Sequence, residues 1–377
     1  MKIAIVLGPF QSMPPEGMGA VEKVWSELAA AFAGKGHHVT LIGKGASRPR
    51  DSEGAGVDVV ALDGSCASGV LPVDLAKDLA YAARVLPMIP PSDVVVTNTF
   101  WLPVVLAPFK RRKGRVVVHV ARYPKGQMWL YRGADMLHAI SSAVGAAIAV
   151  QAPKLKPKIR VLGYPVDVAT FSPAPSPRQR PDVPVVLYAG RVHPEKGVHL
   201  LVDAFRKISE IVPRARLEIL GPVSEHQGGG GPDYVESLRV MARGMEVHFL
   251  EPIANPKELA QAYRQADCFC YPSVAEYGEA FGLAVLEAMA SGVPCVVSAL
   301  ECFRDFVRDG ENALIFDHRA PDASARLAHG IISVLGDGAC AERLSRAGRA
   351  CAVRYATEPI ADAYLEMFGS LLTVKTN

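Results

Sequence analysis

A disulfide framework is missing from this sequence. The seven cysteines are an odd number, scattered along the chain and without metal-ligand spacing. Cys268 and Cys270, in ADCFCYPS, alternate as two buried thiols of one strand would. Such usage suits a reducing compartment. No apolar run approaches the roughly 18 residues that a membrane-spanning helix needs. The opening MKIAIVLG reads as a strand, not as a leader with a basic, an apolar and a cleavage region. A cytoplasmic protein is expected, with peripheral contact at the inner face of the membrane left open. There is no short-period repeat. Charge of one sign is also scarce: 41 Lys and Arg face 38 Asp and Glu. The balance is uneven, however. Residues 1–172 carry 20 basic and 12 acidic side chains, and the remainder 21 and 26. No recognition motif accompanies the basic half, so a nucleic-acid partner is not expected.

The chain has ample material for packed cores. Half of its 377 residues are hydrophobic and 21% are charged, and the length suggests two domains. Strand and helix signals alternate, which points to an α/β protein with mainly parallel sheets. KIAIVLG leads through a loop into AVEKVWSELAAAFAGKG, where Val21, Val24, Trp25, Leu28 and Phe32 recur at helical spacing, and then into HHVTLIG. DVVVTNT and RVVVHVA are continuous apolar runs, as buried parallel strands should be. SPAPSPRQRPDVP, residues 172–184 with five prolines, reads as an interdomain linker. A second alternating series follows. The expected lobes are 1–172 and 173–357, with a closing amphipathic helix over 358–377 that packs back on the first lobe. The glycine run 228–231 reads as a mobile loop tip, because it does not join a strand directly to a helix start. Ligands of open α/β sheets sit beyond the carboxyl ends of the strands. Two facing lobes would therefore put the site in the cleft between them.

Chemistry concentrates in two stretches. GRVHPEKG follows the strand VVLYAG and offers Arg191, a planar fork of donors, and Lys196, a compact charge, ahead of a helix start. Two cations beside a helix N-terminus suit a diphosphate; two solvated surface cations are the alternative. EYGEAFGLAVLEAMASG places Glu279 before a helix expected to start near Ala280 to Gly282 and to end at Ala290, and Glu287 inside it. Glu279 could be a helix cap favoured by the dipole, and Glu287 an exposed helix position. Yet Leu283, Leu286, Ala288, Met289 and Ala290 surround Glu287, and an acid among apolar residues needs a partner or a ligand.

GRVHPEKG, LEILGP, ADCFCYPS, EAFGLAVLEAMASGVPCVV and RDGENALIF follow in order through residues 185–316. Together they resemble the retaining glycosyltransferases of family 4. That resemblance implies the GT-B fold, two facing Rossmann-like lobes with a cleft between them. It implies transfer of a sugar from a nucleoside-diphosphate sugar, UDP being the commonest, to a hydroxyl acceptor with retention of configuration, in glycan, glycolipid or other glycoconjugate synthesis. By the same resemblance Arg191 and Lys196 would hold the donor diphosphate beside Gly190. Glu279 would take hydroxyls of the transferred sugar, and Glu287 those of the ribose. Phe281, Gly282 and Leu283 would present backbone amides. In the first lobe Gly17 and Gly19 match a glycine loop near the phosphates, and His119 a histidine beside the sugar and acceptor. The residues alone also allow His119 to be a satisfied core histidine. No cofactor and no metal are expected. Departures from the family pattern are Ala20 after Gly19, Tyr164 ahead of Pro165-Val166-Asp167, Glu251, and Asp305 in place of glutamate.

Two basic stretches, FKRRKGR and the aromatic-interleaved RYPKGQMWLYRG, are either a solvated face or a contact for an anionic membrane or lipid-diphosphate acceptor. A dinucleotide oxidoreductase, suggested by GMGAVE, fails because Glu22 stands at the third glycine position and HHVTLIGKG lacks the ribose-binding acid. A nucleotide-sugar epimerase of GT-B fold and a non-catalytic sugar-nucleotide binder are the remaining competitors.

Overall fold

The computed structural model describes residues 1–13, 20–45, 56–174 and 183–373. Gly17 and Gly19, and most of the proline-rich linker, lie outside the described residues. The chain divides into two compact units, one of Met1–Pro165 with Thr357–Asn377 and one of Val166–Ala356.

The first unit holds a seven-stranded parallel sheet made of β1 (Lys2–Val6), β2 (His38–Lys44), β3 (Val57–Leu62), β4 (Val94–Thr97), β5 (Arg115–Val120), β6 (Met136–Ala139) and β7 (Ile159–Val161). Its order is β3-β2-β1-β4-β5-β6-β7. The helices of this unit are α1 (Ala20–Gly34), α2 (Leu71–Met88), α3 (Leu102–Leu106), α4 (Lys110–Lys113) and α5 (Ser142–Gln151). The central strands are valine-rich and buried on both faces, as in VVVT of β4. Val24, Trp25, Leu28 and Phe32 of α1 are buried at helical spacing. They meet the last helix of the chain, which spans Thr357–Thr373. There Trp25 lies edge-on to Tyr364 at 5.4 Å and Phe32 to Phe368 at 6.1 Å.

The second unit holds a six-stranded parallel sheet made of β8 (Val185–Ala189), β9 (Arg216–Leu220), β10 (Val247–Leu250), β11 (Cys268–Tyr271), β12 (Cys295–Ser298) and β13 (Leu314–Phe316). Its order is β10-β9-β8-β11-β12-β13. The helices are α6 (Val198–Ile211), α7 (Gly231–Met241), α8 (Pro256–Gln265), α9 (Leu283–Ala290), α10 (Ala323–Gly336) and α11 (Gly338–Val353), before the final α12 (Thr357–Thr373) returns to the first unit. The unit begins at Val166, ahead of the prolines, for a visible reason. Arg264 of α8 donates to the carbonyls of Thr170 and Ser172, at 2.7 and 2.6 Å. Arg349 of α11 donates to those of Val168 and Phe171, at 3.1 and 2.9 Å.

Residues 228–231 are not a loose tip. The Gly228 amide donates to Glu225, Gly229 to Ser224, Gly230 to Val192 and Gly231 to Val223, all through backbone carbonyls at 2.8–3.0 Å. The run leads straight into α7. With its four amides already engaged, it is built as a brace and not as a phosphate cradle.

Candidate active site

Strand order reverses between β8 and β11, which pair side by side although β9 and β10 intervene in sequence. Crevices at such reversals, beyond the carboxyl ends of the strands, are where α/β sheets bind ligands. GRVHPEKG leaves β8 at this point, and the loop carrying Glu279 leaves β11.

Lys196 ends a short 3₁₀ turn, Pro194–Lys196. Its side chain and that of Glu279 are 7% and 9% exposed, and Nζ donates to Glu279 Oε2 at 2.7 Å. The two groups assigned from the sequence to diphosphate and sugar therefore meet in a buried ion pair. Below it lies an aromatic floor. Nζ stands 5.8 Å from the centre of the Tyr271 ring, and Tyr271 stacks on Tyr188 at 5.9 Å. Burial, and after it the Glu279 charge, hold both phenols protonated far above their ordinary range. They can donate hydrogen bonds but not abstract protons.

Arg191 belongs to the same strand end and is held from two sides. It donates to Glu195 Oε1 at 2.5 Å and to the Gly228 carbonyl at 2.6 Å. Burial pushes the Glu195 carboxyl up, but the hydrogen bond and charge of Arg191 outweigh it and keep the group below the usual carboxylate range. The Glu195 carbonyl accepts from the Val274 amide at 2.9 Å, so the loops after β8 and β11 are stitched together.

The helix of the second stretch starts later than the sequence suggests. Gly282 caps it and Leu283 is its first residue, so Phe281 precedes the helix. Gly282 takes φ +91°, and a Cβ there would lie 2.3 Å from the Phe303 ring. Only glycine fits this turn. The first amides of α9 have no acceptor within the helix, and they open at the strand end that carries the ion pair. Glu279 makes no side-chain cap on α9. Glu287 is 8% exposed, so it is not on a solvated face. Its Oε2 accepts from the Tyr263 hydroxyl of α8 at 3.2 Å. Burial and then the Glu287 charge keep that phenol protonated. Nothing in PKELAQAYRQ marks Tyr263 as a polar partner, because the ring otherwise completes an apolar helix face.

A second support was equally hidden. Glu276 accepts from His318 Nε2 at 2.8 Å and from Arg319 Nε at 2.7 Å, which ties the Glu279 loop to the segment after β13.

His119, in the first unit, is 3% exposed on β5. Its Nε2 lies 2.8 Å from the Tyr164 hydroxyl, and its Nδ1 lies 2.9 Å from Nδ1 of His138 on β6. Nε2 of His138 faces the Leu162 carbonyl at 2.8 Å. A carbonyl only accepts, so His138 carries its proton on Nε2 and accepts at Nδ1. His119 must then donate from Nδ1 and accept from Tyr164 at Nε2. Burial holds His119 well below its ordinary range, helped by its neighbour. Burial likewise pushes His138 down to about 4, against the pull of the Leu162 carbonyl. Both rings are neutral at pH 7. Gly190, Arg191, Lys196 and Glu279 thus share one strand end with the start of α9, whereas His119 sits in the other unit inside its own hydrogen-bonded chain.

The comparisons with known proteins agree with this geometry. The family model described as "Glycosyl transferase 4-like domain" matches residues 19–165, and that described as "Glycosyl transferases group 1" matches residues 174–350. Among curated proteins, the phosphatidyl-myo-inositol mannosyltransferase of Mycobacterium leprae (strain TN) is 33% identical over 213 residues, 55% of this chain and 52% of that protein. The D-inositol 3-phosphate glycosyltransferase of Xylanimonas cellulosilytica is 33% identical over 226 residues, 56% and 51% of the two chains. The match thus spans about half the length of these relatives. Among solved structures, sucrose-phosphate synthase from Thermosynechococcus elongatus superposes with a TM-score of 0.79 at 22% identity, covering 100% of both chains. The Anabaena protein HepE in complex with UDP and glucose gives 0.73 at 22% identity, covering 98% of this chain and 100% of that one. With both halves matched in order and each sheet parallel and helix-flanked, the chain belongs to the family 4 glycosyltransferases of GT-B fold.

Proposed function

We propose that this protein transfers a sugar from a nucleoside-diphosphate sugar to a hydroxyl acceptor, with retention at the anomeric carbon, in the synthesis of a glycan, glycolipid or other glycoconjugate. The observation that carries the reading is the Lys196–Glu279 pair at the strand-order reversal, beside Arg191 and the start of α9. In the reaction the bond from the anomeric carbon to the diphosphate oxygen breaks, and a bond from that carbon to the acceptor oxygen forms. The acceptor's proton passes to the departing phosphate oxygen. Charge accumulates on the diphosphate, where Lys196, Arg191 and the first amides of α9 are preset to receive it. Glu279 turns from Lys196 to the sugar hydroxyls, and Glu287, aligned by Tyr263, takes the ribose diol. UDP is the proposed nucleotide. HepE, a solved neighbour in fold, holds UDP, whereas the curated relatives named above are a mannosyltransferase and an inositol-phosphate glycosyltransferase.

Thermal shift against UDP, GDP, ADP and their sugar conjugates tests the donor, since a ligand stabilises the state that binds it. Nucleoside diphosphate release is then followed with and without acceptor. Release that depends on acceptor is the expected result. A free isomeric nucleotide sugar without acceptor would identify an epimerase, and binding with no release a non-catalytic binder. Arg191→Ala is expected to lower turnover by about two to three orders of magnitude, as loss of a transition-state donor does. Near-normal turnover in that variant would remove Arg191 from the site.

A further inference from the structure

The positive charge of the first unit is concentrated. Between Asp93 and Asp167 the chain has twelve Lys and Arg and a single acid, Asp135. The fold gathers much of this charge at one place. Helix α4 (Lys110–Lys113), a 3₁₀ turn over Met128–Gly133 and another over Pro153–Lys158 come just before β5, β6 and β7 respectively. These strands are parallel neighbours, so the three segments arrive at the same sheet end. Hydrogen bonds hold them together. Lys158 Nζ donates to the carbonyls of Arg132 and Ala134, at 2.9 and 2.6 Å, and Lys110 Nζ to that of Gly133 at 3.3 Å. The one acid is spent internally, since Asp135 pairs with Lys110 and Arg115 at 3.1 and 3.2 Å. Arg111, Arg112, Arg132, Lys154 and Lys156 are exposed. Among the described residues none of these five is in an ion pair.

Apolar groups are interleaved with the cations. Trp129 is 60% exposed and Phe109 45%. Trp129 belongs to the same Met128–Gly133 segment as the exposed Arg132. This sheet end is the amino-terminal one, opposite the carboxyl ends where ligands of such sheets bind. Within the first unit, the patch is therefore at the opposite sheet end from that unit's own ligand-binding crevice.

We propose that this end of the first unit docks on an anionic lipid bilayer. Clustered Lys and Arg fit the negative surface potential of such a membrane. An exposed tryptophan partitions to the headgroup level, which a nucleic-acid backbone would not require. The full chain is mixed with vesicles of phosphatidylcholine alone, or of phosphatidylcholine with phosphatidylglycerol, and sedimented at low and raised salt. Binding to the anionic vesicles only, weakened by salt, is expected. Tryptophan emission should shift to the blue with those vesicles, and Trp129→Phe should abolish the shift, because Trp25 is buried and Trp101 half-buried. The triple variant Arg111→Gln, Arg112→Gln, Lys156→Gln should lower the vesicle partition on the order of a hundredfold. Absent or equal binding to both vesicles would overturn the proposal, as would an unchanged triple variant, or duplex DNA that displaces the vesicles. If the triple variant folds poorly, the emission shift of the wild-type chain decides alone. None of these readouts depends on turnover, so the outcome is independent of the proposed reaction.

Discussion

Lys196 and Glu279 neutralise one another in a place from which water is largely excluded. Removing one charge of a buried pair strands the other, at a cost of about 3–5 kcal/mol. Lys196→Met should accordingly destabilise the second unit by about that much, and Glu279→Gln in the same chain should restore part of it. Both chains should lack transfer activity. Hydrogen exchange of the peptides over β11 and α9 reads the stability locally; equal protection in the single and double variants would show that the pair is not coupled. Tyr263→Phe probes the second carboxylate. A hydrogen bond to a charged group contributes about 1.5–3 kcal/mol, so the variant should open more easily around α8 and α9 and bind its nucleotide more weakly. Unchanged donor affinity would separate Glu287 from the ribose. The carboxylates and Lys196 were legible in the sequence because they stand in motifs. Tyr263, His318 and Arg319 were not, because a partner brought in from another element carries no local signal.

At the scale of elements, the glycine run between β9 and α7 is the clearest departure from the sequence reading. Four glycines look permissive, and only the structure shows where their amides and carbonyls point. Gly228 has φ +80°, and a Cβ there would lie 3.0 Å from Cδ of Arg191, whose guanidinium the Gly228 carbonyl holds. Gly244 has the same φ with nothing within 4 Å. Alanine at either position costs the left-handed backbone about 1–2 kcal/mol. Only at 228 does it also displace Arg191. Gly228→Ala should reduce turnover at least tenfold beyond Gly244→Ala at matched stability, measured as kcat beside Tm. Equal turnover in the two variants would show that the run does not position the arginine. Strands such as β4 and β8 were legible because a parallel strand buried on both faces must be apolar throughout. Edge strand β3, VDVVAL, has no buried residue, and β7 spans only Ile159–Val161, so neither leaves such a run.

For the molecule as a whole, the two-unit α/β architecture followed from alternation and composition, and its boundary from tertiary hydrogen bonds that no local pattern encodes. Each unit can be followed separately, because all three tryptophans, Trp25, Trp101 and Trp129, lie in the first. Urea unfolding read by tryptophan emission therefore reports that unit, where His119 and His138 are buried and neutral. Their folded pKa values lie below the unfolded value of about 6.5. The unfolded chain thus binds more protons as the pH falls, and the stability these rings confer is present above about pH 6.5 and lost below it. Each ring contributes a slope of up to about 1.4 kcal/mol per pH unit. Burial raises the carboxyl groups of Glu22 and Asp78, which act in the opposite sense. A difference between two chains isolates the histidine. Glutamine at position 138 can still donate to the Leu162 carbonyl and accept from His119, but it does not titrate. Between pH 6.5 and 5, wild type should lose stability more steeply than His138→Gln, by up to about 1.4 kcal/mol per unit. Parallel slopes would mean that His138 enters the folded unit already charged, donating to Leu162 as before and also to His119, so that His119 would donate to Tyr164 instead of accepting from it.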